Sequence, residues 1–98
     1  MNRKFELGLL VMTKGVQYNI EEENFSILEI LDMVDNHLIN KSDLESEDLE
    51  ANDYAIRNKK GRVFSNFLLR DYKIYIITDN MELEEKDRVT TILLAEEY

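Results

Sequence analysis

A chain of 98 residues is one small domain, and 21 Asp and Glu against 12 Lys and Arg leave it at −9. Such an acidic excess argues against nucleic acid or anionic lipid as a generic partner, because binding phosphate requires Lys and Arg to displace counterions. The absence of Cys, Pro and Trp excludes a thiolate nucleophile, a disulfide and a zinc knuckle.

The start, MNRKFELGLLVMTKG, has an acid at Glu6 and an apolar run that stops at Met12, so it lacks the pattern of a signal peptide. No window approaches the ~18 apolar residues of a spanning helix. A soluble cytoplasmic protein of bacterial type is expected, with no membrane partner. Residues 3–13 read as a strand: Phe5, Leu7, Leu9 and Val11 point one way, Glu6, Gly8, Leu10 and Met12 the other. Both sets are largely apolar, which predicts a strand inside the sheet and not at its edge. Thr13-Lys14-Gly15 ends it, and Val16 with Ile20 allows one or two helical turns.

Ser26-x-x-Glu29 is a capping box, with Phe25 and Ile30 placed as its hydrophobic staple. Ile27, Ile30, Leu31, Val34 and Leu38 follow as a 3.6-period stripe, opposite Glu29, Asp32 and Asn36, predicting a helix over roughly residues 26–40. Ser42-x-x-Glu45 and Ser46-Glu47-Asp48 are alternative caps for another helix that runs to about Lys59. Its acids come first and its bases last, as the helix dipole favours, and Gly61 is placed to take the left-handed cap. From Arg62 the period becomes two. Residues 62–70, 72–78 and 88–94 read as a three-strand meander with a tight first turn and a longer acidic connection over 79–87. The expected fold is one α+β domain over 1–98. It has an antiparallel sheet of about four strands, the N-terminal strand plus the meander, with two to three helices on one face.

Charge is concentrated. Residues 21–53 sum to −11, residues 54–78 to +5 and residues 79–98 to −5. The candidate acidic face is Glu29, Asp32, Asp35, Asp43, Glu47 and Glu50, which suits a protein partner with a basic surface. Its sharpest version imitates the phosphate rows of DNA, as an anti-restriction-like inhibitor would; its plainest is a solvated face that aids solubility. Metal binding finds no support: Glu21, Glu22 and Glu23 fan around a helix, and the run from Asp43 has Asp48 and Tyr54 where an EF-hand needs Gly and Glu. No cofactor is expected either.

His37 is the sole histidine. An enzyme using it with Asp32, Asp35 or Asp43 is one alternative, though no G-x-S-x-G elbow surrounds any serine. The simpler reading sets His37 at a helix C-terminus, meeting the dipole. A further alternative is nucleic-acid binding through the basic shoulder Arg57, Lys59, Lys60 and Arg62, with Tyr54, Phe64 and Phe67 nearby for stacking. Phe64 and Phe67 fall on opposite strand faces, however, so at least one belongs to the core.

Three runs carry a resemblance: Lys4–Gly8 with Val11, Thr13 and Gly15; Tyr75-Ile76-Ile77-Thr78-Asp79; and Asp87–Tyr98, which reads D-R-V-T-T-I-L-L-A-E-E-Y. The chain resembles a family of small bacterial proteins labelled plasmid-related protein or type I restriction endonuclease subunit M, which end in a T-T-I-L-L-P-E-E-Y-like run. It departs from that pattern at Tyr75, where the family has Trp, and at Ala95, where it has Pro. The family's middle H-x-x-G-D-W-G-D-L motif survives as His37, Asp43 and Leu44, and the Asn80–Lys86 loop is expanded. The resemblance implies a bacterial cytoplasmic protein, often on mobile elements and non-catalytic, and it transfers no functional residue. The expectation is therefore a non-catalytic protein-interaction module. A four-strand sheet with one helical layer also leaves a face or edge that a homodimer would cover.

Overall fold

The computed structural model describes residues 3–98, in the order β1 (Leu9–Met12), α1 (Lys14–Glu21), α2 (Ile27–Leu38), α3 (Ser46–Asn58), β2 (Val63–Leu69), β3 (Tyr72–Asp79) and β4 (Val89–Leu94). Single 3-10 turns cover Glu85–Asp87 and Ala95–Glu97. The capping box forms as the residues dictate: Glu29 N–H donates to Ser26 Oγ at 3.1 Å, and Ser26 N–H donates to Glu29 Oε1 at 2.9 Å. α1 starts on Thr13, whose hydroxyl accepts the Val16 N–H. α3 starts after Glu45, which makes no side-chain cap bond, so neither Ser42 nor Ser46 is its cap. Lys59, not Gly61, takes the left-handed position that ends α3, with φ of 48°. Gly61 is also left-handed, in the turn that follows.

The sheet order is β1-β4-β3-β2. The meander is antiparallel, and Arg70-Asp71 makes the tight join between β2 and β3. The first strand corrects the expectation in three ways. It is parallel to β4, with Leu9 opposite Val89 and Met12 opposite Ile92, so the sheet is mixed. It lies at the edge. It is also short, because Gly8 turns the chain with φ of 72° where an added Cβ would stand 2.3 Å from the Arg88 carbonyl oxygen. Phe5 and Leu7 therefore turn into the core while Leu9 is exposed. Apolar alternation cannot reveal strand direction, since the same side chains serve a parallel or an antiparallel neighbour.

The main core forms between the helices and one sheet face. Val16, Phe25, Ile30, Val34, Leu38 and Ala55 meet Val63, Phe67, Ile74, Ile76, Ile92 and Leu94 there. Phe67 is in this core and Phe64 is on the other face, as their spacing requires. No helix among the described residues is long and apolar enough to cross a membrane.

Candidate functional site

α2 places His37 at the centre of the core, fully buried, with the Phe5 ring edge-on at 5.2 Å. Its nearest polar atoms are hydroxyls. Nδ1 is 2.6 Å from Ser65 Oγ and Nε2 is 2.9 Å from Thr78 Oγ1; Thr78 Oγ1 lies 2.6 Å from Thr90 Oγ1. The Thr90 hydroxyl donates to the Leu7 carbonyl at 2.8 Å. That last bond sets the two next to it. Thr90 has spent its hydrogen and accepts from Thr78, and Thr78 then accepts from His37 Nε2–H. Burial pushes the imidazole pKa down to about 3, so the ring is neutral and Nδ1 accepts from the Ser65 hydroxyl. The histidine thus meets side-chain hydroxyls of the sheet, not the end of its own helix. Asp32, Asp35 and Asp43 make no hydrogen bond to it, which leaves an enzyme built on that combination without its orienting contact.

The acidic residues divide by what they touch. Glu29 is half-buried and accepts from Arg70 at 2.9 and 3.0 Å as well as from Ser26, and the Arg70 hydrogen bond does most to hold its carboxyl down to about 2. Asp43 is a strand-edge residue in effect: its N–H donates to the Asn66 carbonyl at 2.8 Å, and its carboxylate accepts the Leu68 N–H at 2.9 Å. Both side chains serve the fold. Asp32 and Asp35 on α2, with Glu47 and Glu50 on α3, are exposed and accept no side-chain hydrogen bond among the described residues.

Beside Asp32 and Asp35, α2 presents apolar surface. Ile27, Leu28 and Leu31 are 46 %, 74 % and 45 % exposed. The expected apolar stripe is thus rotated: Met33 and His37 complete its buried side, and Ile27 and Leu31 look outward. Leu28 carried the signal in the sequence, as an apolar residue off the stripe.

The basic shoulder does not form one patch. Arg57 lines a hollow with Lys4, Asp53 and Ile56, and Lys59 lines an adjoining groove of about 480 Å³, which shares Lys4 and Ile56, with Phe5, Met81 and Arg88. Arg62 lies over the Tyr98 ring, hydrogen-bonded to its hydroxyl and 4.0 Å from Asp79. Arg88, buried in that groove, donates to the carbonyls of Leu83, Glu6 and Met81, tying the acidic loop to the N-terminal segment.

The first and last segments of the chain meet in space. Gly8 packs on Arg88. Glu97 accepts from the Thr13 hydroxyl at 2.6 Å, the Gly15 N–H at 3.1 Å and the Leu94 N–H at 2.8 Å. These are fastenings between distant parts of the chain. No family model, curated protein or solved structure matches the chain.

Proposed function

We propose that this protein is a non-catalytic interaction module that binds another protein through the outer face of α2. The observation that carries the reading is the apolar surface of Ile27, Leu28 and Leu31 beside the free carboxylates of Asp32 and Asp35. Exposed aliphatic side chains at the centre of a charged rim are the composition of a protein interface. Glu47 and Glu50 on α3 extend the acidic part toward a partner with a basic surface. The likeness to plasmid-related proteins agrees with an accessory role in a bacterial cytoplasm, in cells that carry mobile elements.

Affinity capture from the native cell, with mass spectrometry of what is retained, tests this. Leu28→Asp with Leu31→Asp is expected to lose a partner that the wild type retains in stoichiometric amount. Asp32→Lys with Asp35→Lys is expected to weaken the same complex and remove its salt dependence. An identical set retained by all three proteins overturns the proposal. DNA imitation gives the opposite pattern: charge reversal abolishes binding and the leucine variants leave it intact.

A further inference from the structure

The three helices occupy one face of the sheet. On the other, Leu9, Leu68 and Tyr98 are 62 %, 65 % and 67 % exposed. Ile77 and Leu93 on this face are already sealed within the chain, at 4 % and 7 % exposure, and the rings of Phe64, Tyr75 and Tyr98 pack edge-on in a row beside them. Leu9 stands on the β1 edge and Leu68 on the β2 edge, and the charges between them indicate what covers this face.

β3 runs through the middle of this face as Lys73, Tyr75, Ile77 and Asp79, with a cation at one end, an anion at the other and apolar side chains between. Under a two-fold axis lying in the interface at right angles to β3, the strand meets its own reversed copy. Lys73 then faces Asp79 of the second copy and Asp79 faces Lys73 of the second copy, while the half-buried Tyr75 rings flank the axis above the buried Ile77 side chains. Sheets pack about 10 Å apart, a gap that Lys and Asp side chains together span. The rim repeats the pattern: Arg62 stands beside Asp79, and Asp71 and Glu96 border the hollow that Lys73 lines. We infer that the protein forms a two-fold dimer through this open sheet face.

The whole molecule supports that occupant. A chain at −9 repels its own copy, yet the −11 segment over 21–53 includes α2 and most of α3, which lie behind the sheet and point outward from both copies in this arrangement. In projection, four strands and six residues give about 400 Å². That is smaller than the ~800 Å² per partner of a standard interface, before side-chain relief is added, so the dimer is an exchanging one. It leaves the outer face of α2 free and stands apart from the proposed function.

Sedimentation equilibrium over about 10 μM to 1 mM tests it. The expected mass rises with concentration from 11.6 kDa toward twice that value. Lys73→Asp or Asp79→Lys alone weakens association about tenfold, since each sets like charges face to face twice per dimer. The double exchange Lys73→Asp with Asp79→Lys restores it. Leu68→Lys, at an exposed position, weakens it without disturbing the fold, read as an unchanged circular dichroism spectrum. A constant 11.6 kDa overturns the inference, as does a dimer that tolerates both single charge variants or a double exchange no tighter than its weaker parent.

Discussion

Protonating His37 inside the fold would require Ser65 to turn its hydroxyl hydrogen away from Nδ1 at a site sealed from water. Burial lowers the pKa of the imidazole from 6.5 in the unfolded chain to about 3 in the folded one. A depressed histidine pKa contributes stability that is complete above 6.5 and is lost as pH falls toward 3. The slope in that window is about 1.4 kcal/mol per pH unit. Glu29, Asp53 and Glu97 are also held below their usual values, so their contributions are lost at lower pH, below the ordinary carboxylate range. For Asp53, burial acts the other way and is outweighed by hydrogen bonds from Asn40 and Lys4. His37→Phe is expected to cost about 2–4 kcal/mol at neutral pH, because two buried hydroxyls lose their partner. It should also flatten the pH dependence between about 4.5 and 6.5. Urea melts across that range check both, and equal slopes in wild type and variant would falsify the neutral-imidazole assignment. The histidine itself was plain in the sequence. Its hydroxyl partners, 28 and 41 residues away, were not.

Both edges of the sheet depend on specific residues, and the two edges are finished differently. Asn52 on α3 behaves toward β2 as another strand would: its Nδ2 donates to the Phe64 carbonyl at 2.6 Å and its Oδ1 accepts the Phe64 N–H at 3.0 Å. Asp43 does the same for Asn66 and Leu68, so this edge offers little to an incoming chain. Asn52→Ala is expected to cost about 2–4 kcal/mol and to raise light scattering on heating, since it frees backbone groups on an edge strand. An unchanged melting temperature and a clear solution would refute that role. Gly8 at the β1 edge and Gly61 in the turn before β2 make a controlled comparison, because both have positive φ but only Gly8 is crowded. Gly61→Ala should cost about 1 kcal/mol through its backbone alone. Gly8→Ala should cost several times more, because an added methyl meets the Arg88 and Glu85 carbonyls. Chemical denaturation of the two variants ranks them. The helices at this scale were largely legible, since the capping box and the apolar period are local features. The strand-like use of Asn52 was not, because nothing in a helical Asn marks it as the neighbour of a β-strand.

At the scale of the whole molecule, −9 averages a strongly acidic helical side and a sheet face with one cation and one anion on its central strand. Reversing Asp32, Asp35, Glu47 and Glu50 to Lys moves the net charge from −9 to −1, eight units at two per site. None of the four takes part in a side-chain hydrogen bond among the described residues. The quadruple variant should therefore keep its fold and its stability to within about 1 kcal/mol, with any gain largest at low salt. Asp43→Lys is expected to fall well below it, having lost the bond to the Leu68 N–H. Calorimetry of the two at low and high salt separates surface acids from structural ones, and equal losses would show that the division is wrong.

The residues themselves determined the two longer helices, the antiparallel meander and the segregation of charge, because capping, periodicity and composition act over a few neighbouring positions. Tertiary structure decided that β1 runs parallel to β4 at an edge, that Glu97 holds the start of α1, and that His37 serves the core. It also sorted the acids into those the fold uses and those left exposed to solvent. The reason is one of range. Alternation shows which sides of a strand are kept dry, whereas direction, edges and buried polar chains depend on contacts such as Thr90 with Leu7, 83 residues apart.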